Sequence, residues 1–162
     1  GTDLAMLATA AAVTTLVGIA PTDGSLWIDG VEIDDGVVLL ALAAIWTAHH
    51  LKVKAIAALT QSGSTALWMS RLNCGVPIYA LTPDTESLGR MVLFREVYPL
   101  LMEQHQTDRD VLLAEAEALL IKRGVVAVGD MMVLTIGEPI GCTGGTNTLK
   151  IVRVGEHALP QA

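Results

Sequence analysis

Residues 53–72, VKAIAALTQSGSTALWMSRL, join an apolar run, a hydroxyl-rich loop and a helical pattern in one continuous stretch. The run VKAIAAL has the length and composition of a buried strand, whereas STALWMSRL has the apolar spacing of a helix. A strand that leads directly into a helix is the first half of a β–α–β unit, and such units build a parallel sheet. The stretch therefore predicts an α/β fold.

The alternation of strands and helices continues along the chain. Four further apolar runs predict strands at 76–81, 97–102, 129–137 and 148–154. Two further helices are predicted. The first has Thr82 as its cap and begins with Pro83 and Asp84. The second begins at Thr107-x-x-Asp110 and ends at Lys122, Arg123 and Gly124. Pro99 predicts that its strand lies at an edge of the sheet or bends there.

The connection between the last two predicted strands is a loop without a helix. These strands are therefore expected to be antiparallel, because a parallel pair needs a longer crossover. Ahead of the first strand, residues 36–50 predict a largely buried helix that is apolar nearly all round, and Asp34 and Asp35 suit its start. The predicted fold class is α/β, a three-layer α/β/α sandwich with a mixed five-stranded sheet whose last strand is antiparallel.

Composition excludes several classes of protein. The 162 residues are 52% hydrophobic and 17% charged, with a mean hydropathy of +0.53 and a formal net charge of −7. Intrinsically disordered chains have a lower apolar content, and an acidic domain repels the phosphates of nucleic acids. Two cysteines, Cys74 and Cys142, are too few for a fold held together by disulfides.

The first third of the chain differs in composition from the rest. Residues 1–52 carry six acids and one base. The uncharged run 4–20 is interpreted as a packing segment, with an atypical leader or membrane insertion as alternatives, because it is short for a span and no basic segment precedes it. Residues 25–33, SLWIDGVEI, are consistent with a hairpin that turns at Asp29-Gly30. The protein is expected to be cytoplasmic.

Two loops follow strands whose carboxyl ends are expected at one edge of the sheet, where α/β proteins bind ligands. The first is Thr60-Gln61-Ser62-Gly63-Ser64-Thr65, which supplies four hydroxyls, a glycine and the amides of a helix start. This combination suits a phosphate dianion, although ordinary helix capping in a tight turn also explains it. The second loop, 137–146, contains four glycines and is either a ligand-contacting loop or a flexible hairpin connection.

Other chemically active residues form no constellation in the sequence. They are His49, His50, His105, His157, Cys74, Cys142, Glu115 and Glu117. The adjacent histidines face different directions on their helix, and the two glutamates do not share a face, so a solvated setting is expected for them. The cysteines lack CxxC spacing. The chain contains no GxxxxGK[ST] and no GxGxxG motif.

Several of these segments, in this order, closely resemble the C-terminal domain of pyruvate kinase. They are AIAALTQSGSTALWMSRL, PIYALTPD, LFREVYPLL and KRGVVAVGDMMVLTIGEPIGCTGGTNTLKIVRV, between about Glu32 and Val154. The most specific features are the TxSGxTA-like loop, the Phe94-Arg95 pair, the Gly-Asp start of the fourth strand and GTNTLK at 145–150. The resemblance implies the same α/β/α fold for residues 32–162 and leaves residues 1–31 as a separate segment.

The resemblance also implies a function in glycolysis, where the full enzyme transfers a phosphoryl group from phosphoenolpyruvate to ADP. In many members this domain binds a phosphorylated allosteric effector and helps to form the oligomer. The implied effector-binding residues are Thr60, Gln61, Ser62, Gly63, Ser64 and Thr65, with Gly141, Thr143, Gly144 and Gly145 in the loop that closes over the phosphate. Gln61 replaces a basic residue frequent in members that bind fructose 1,6-bisphosphate, and Glu138 adds negative charge. A sugar monophosphate or AMP is therefore the favoured effector.

Catalysis is not expected from this chain alone. The family's active site lies in a TIM barrel, which needs about 200 residues or more, and the residues before the resemblance are too few. No cofactor is expected here, because the Mg and K ions of the family belong with the barrel. The expected partners are the effector, further copies of the chain and a catalytic barrel domain, with neither nucleic acid nor membrane. The alternative function is a structural, oligomerising module with a vestigial effector loop.

Overall fold

The computed structural model describes residues 17–19, 26–28, 31–33, 36–72, 74–103, 108–137, 140 and 146–156. The chain divides into two compact units, Gly1–Asp35 and Gly36–Ala162. Within these described residues, no helix is both long enough and apolar enough to cross a membrane.

The first unit contains a small antiparallel sheet. Its strands are β1 (Val17–Ile19), β2 (Leu26–Ile28) and β3 (Val31–Ile33), in the order β1-β2-β3. Ile28 pairs with Val31, which confirms the predicted hairpin. The two turn residues between them, and residues 4–16 of the apolar run, lie outside the described part of the chain.

The second unit contains a five-stranded sheet with helices on both faces. In chain order its elements are α1 (Gly36–His50), β4 (Ala55–Leu59), α2 (Ser64–Leu72), β5 (Ile78–Thr82), α3 (Thr85–Met91), β6 (Val97–Leu101), α4 (Arg109–Lys122), β7 (Met131–Gly137) and β8 (Thr146–Arg153). The strand order is β6-β5-β4-β7-β8, and β8 runs antiparallel to β7 while the other neighbours are parallel. The predicted fold class is confirmed.

Strand β4 lies at the centre of the sheet, and all five of its residues are buried. Successive side chains of a strand face opposite sides, so β4 contributes to two cores. Ala55, Ala57 and Leu59 pack in the core that includes residues of α4, whereas Ile56 and Ala58 pack with residues of α1, α2 and α3. The continuous apolar sequence of β4 follows from this burial on both faces.

Strand β6 forms one edge of the sheet, as Pro99 predicts. Pro99 pairs with Ala80 of β5, and the described sheet ends at β6 on that side. Proline has no amide hydrogen to donate to a further strand, so the edge position costs the sheet no hydrogen bond.

Two helix caps differ from the sequence prediction. Thr82 is the last residue of β5, and α3 is capped by Asp84, whose carboxylate accepts a hydrogen bond from the Ser87 amide at 2.8 Å. Helix α4 is capped by Asp108, which accepts from two amides of the first turn, while Thr107 lies outside the described residues. In both helices the aspartate stands directly before the first helical residue, where its carboxylate reaches those amides.

Helix α1 has the predicted length but not the predicted burial on all sides. Val37, Ala41 and Ala44 are buried, whereas Leu39 is 55% exposed and Trp46 is 53% exposed. The prediction of a largely buried helix is therefore wrong for the outer face of α1 in this chain.

Candidate functional site

The first candidate loop, residues 60–65, joins the carboxyl end of β4 to the amino end of α2. Because β4 is the central strand, the loop lies between the ends of β5 and β7. Two hydrogen bonds fasten it to β5: the Thr60 amide donates to the Leu81 carbonyl at 3.0 Å, and the Thr82 hydroxyl donates to the Gln61 carbonyl at 3.4 Å. The predicted position at the carboxyl ends of the parallel strands is thus observed.

The backbone of this loop turns sharply at Gly63. The Gly63 amide donates to the Thr60 hydroxyl oxygen at 2.9 Å, and Gly63 has a φ of +82°. A Cβ atom at this position would lie 2.8 Å from Cγ of Met91. Glycine is therefore required both by the backbone conformation and by the close approach of α3.

Two serine hydroxyls remain half-buried at the start of α2. The Ser62 hydroxyl donates to Oγ of Ser64 at 3.2 Å. The first helical hydrogen bond across this turn joins the Leu67 amide to the Gly63 carbonyl at 2.9 Å. Of the amides ahead of Leu67, that of Gly63 donates to the Thr60 hydroxyl oxygen and that of Ser64 donates to the Ser62 hydroxyl oxygen at 3.5 Å. The amides of residues 65 and 66 belong to the first turn and have no acceptor inside the helix.

The two threonines of the loop are more deeply buried than the serines. Thr60 is 7% exposed, and its hydroxyl is engaged with the Gly63 amide. Thr65 is fully buried, and its Oγ1 lies 2.6 Å from Oγ1 of Thr146 at the start of β8. The six residues singled out by the sequence thus lie together but differ in access to a ligand.

The starts of the three helices at this edge differ in charge. Helices α3 and α4 each have an aspartate cap and one acidic residue in the first turn, whereas α2 has no acidic residue there. The partial positive charge of a helix amino end is worth most to an anion within the first turn. Helix α2 therefore has no carboxylate in its first turn to offset this charge.

The second candidate loop is described only at its ends. Gly137 of β7 pairs with Thr146 of β8, so the segment between them begins and ends beside the amino end of α2. The four residues that the resemblance assigns to effector binding in this segment lie outside the described residues; they are Gly141, Thr143, Gly144 and Gly145.

The other sequence candidates that the structure describes include His49, His50 and Cys74. His49 and His50 lie at the end of α1, and His50 packs on Trp46 with ring centroids 4.2 Å apart. Burial raises the pKa of the Cys74 thiol, which keeps it protonated and weakly nucleophilic. His105, Cys142 and His157 lie outside the described residues. No cluster of three or more metal-binding side chains occurs in the part of the chain that is described.

Glu117 was expected on a solvated helix face, and this expectation is wrong. The residue is 7% exposed, and its carboxylate accepts a hydrogen bond from the Gly155 amide at 2.7 Å. The contact fastens α4 to the turn after β8. Gly155 lies 38 positions from Glu117, so the spacing of residues within α4 could not predict this hydrogen bond.

The family model described as "Pyruvate kinase, alpha/beta domain" matches residues 39–152. The chain belongs to this family. The match begins within α1, ends one residue before the end of β8 and includes none of the first unit. It therefore confirms the resemblance in the sequence to the pyruvate kinase C-terminal domain.

Curated relatives agree with this assignment. A pyruvate kinase of Buchnera aphidicola subsp. Acyrthosiphon pisum is 37% identical over 124 residues, which cover 76% of this chain and 26% of the relative. Pyruvate kinase II of Salmonella typhimurium is 36% identical over 125 residues, with the same two shares. A Staphylococcus aureus pyruvate kinase is 37% identical over 118 residues, or 73% of this chain and 20% of that protein. The matched part thus spans about a fifth to a quarter of these relatives.

Proposed function

We propose that this chain acts as the regulatory domain of a pyruvate kinase and binds a phosphorylated small molecule at residues 60–65. The observation that carries the proposal is the start of α2, which combines the Ser62 and Ser64 hydroxyls with an amino end free of acidic residues. In this proposal the chain contributes regulation and oligomer contacts, while phosphoryl transfer from phosphoenolpyruvate to ADP belongs to a catalytic barrel with its Mg and K ions. In this proposal the regulatory domain is placed at residues 32–162, of which Gly36–Ala162 form one compact unit.

The chemistry of the loop favours one phosphate group over two. Backbone amides and serine hydroxyls can surround a single dianion at the helix start. Gln61 offers no positive charge for a second phosphate, and Glu138 in the second loop adds a negative one. Like charges at short range in a partly buried site disfavour binding by about 1 kcal/mol or more. A sugar monophosphate or AMP is therefore the proposed class of effector.

Calorimetric titration of the full chain tests this proposal. Glucose 6-phosphate, ribose 5-phosphate and AMP are the expected ligands, with fructose 1,6-bisphosphate as the comparison. The variant Ser62→Ala/Ser64→Ala is expected to lose binding because both accessible hydroxyls are removed. Ser70→Ala is the matched control, since the Ser70 hydroxyl donates to the Leu67 carbonyl within α2. A folded wild-type chain that binds none of the four phosphates contradicts the effector proposal.

The alternative function, a structural module with a vestigial loop, has support of its own. Leu39 and Trp46 are more than half exposed on the outer face of α1. Large apolar side chains grouped on one helix face are typical of a surface that another protein covers. In this alternative the domain serves assembly with further copies of itself or with a catalytic barrel, and the loop binds nothing.

Sedimentation velocity separates the two functions. A tight oligomer that persists unchanged in the presence of every phosphate supports the structural module. Trp46→Gln is expected to weaken that oligomer, and His50→Gln, which changes a polar residue beside Trp46 on α1, serves as the control. A monomeric wild-type chain at all concentrations contradicts self-association.

A further inference from the structure

We draw no further inference here: the strongest candidate, the cavity beside the edge strand β6 whose lining includes Tyr79, Tyr98, Pro99 and Arg123, carries no proposal because nothing in the structure shows what occupies it.

Discussion

The starts of α2 and α3 differ in the groups that accept hydrogen bonds from the amides of the first helical turn. Both helices follow neighbouring parallel strands and begin at the same edge of the sheet. Helix α3 is capped by its own carboxylate, because Asp84 accepts a hydrogen bond from the Ser87 amide at 2.8 Å. Helix α2 has serine and threonine hydroxyls and no acidic residue at its first turn. At α2 uncharged hydroxyls accept from the Gly63 and Ser64 amides, and the proposed function adds an external anion where α3 has an internal carboxylate.

The largest expected effect is on stability, from Gly63→Ala. The new side chain meets Met91 and must adopt a positive φ, so the free energy of unfolding is expected to fall by about 2–4 kcal/mol. Gly89→Ala in α3 is the matched control, since its Cβ has no atom within 4 Å. That change is expected to stabilise the chain by about 0.5–1 kcal/mol. Urea unfolding measures the change in the free energy of unfolding for both variants. Equal changes would contradict the requirement for glycine at position 63.

The second expected effect is on binding, from Ser64→Asp. The variant places a carboxylate in the first turn of α2, and we expect it to weaken glucose 6-phosphate binding by about tenfold or more. Ser64→Asn has nearly the same size without the charge and is expected to retain most of the affinity. Calorimetry and a thermal melt of each variant separate lost binding from lost fold. Equal losses in both variants would show that shape, not charge, matters at this position.

The smallest expected effect is the pH dependence of Asp84→Asn. Hydrogen bonds from Ser87, first from its side chain and then from its amide, lower the pKa of Asp84 below its ordinary value of 3.8. A lowered pKa stabilises the folded chain above the unfolded pKa and loses that contribution as the pH falls through the folded pKa. The variant is expected to melt below the wild-type chain at neutral pH. Melting curves from pH 7 to pH 2 should converge in acid, and a constant difference contradicts the assignment.

The sheet was predictable from the sequence because its signals are local. Each buried strand is a short apolar run. Pro99 predicts an edge strand because proline has no backbone N–H to donate to a neighbouring strand. The two wrong helix caps show the limit of this method. Thr82 and Asp84 both suit a cap, and the choice depends on where β5 ends, which is determined by its pairing with β6 through Leu101.

The candidate site was predictable in its residue types but not in their roles. The loop sequence shows four hydroxyls, and nothing in it separates the buried threonines from the half-buried serines. That difference depends on Thr146, which the sheet brings to α2 from 81 positions away. The burial of Glu117 was not predictable for the same reason, since its partner Gly155 lies 38 positions away, after β8.

The position of Pro99 in the edge strand β6 also affects aggregation. The Ile78 amide donates to the Glu96 carbonyl and the Met102 amide to the Thr82 carbonyl, so the even-numbered residues of β6 bond inward to β5. Pro99 and Leu101 therefore turn their backbone groups outward, and Pro99 has no hydrogen to donate, while the Val97 amide already donates to the Phe94 carbonyl at 3.4 Å. A strand from a misfolded neighbour would find no free donor at Val97 or Pro99. Growth of aggregates by strand addition is thus disfavoured at this edge during folding.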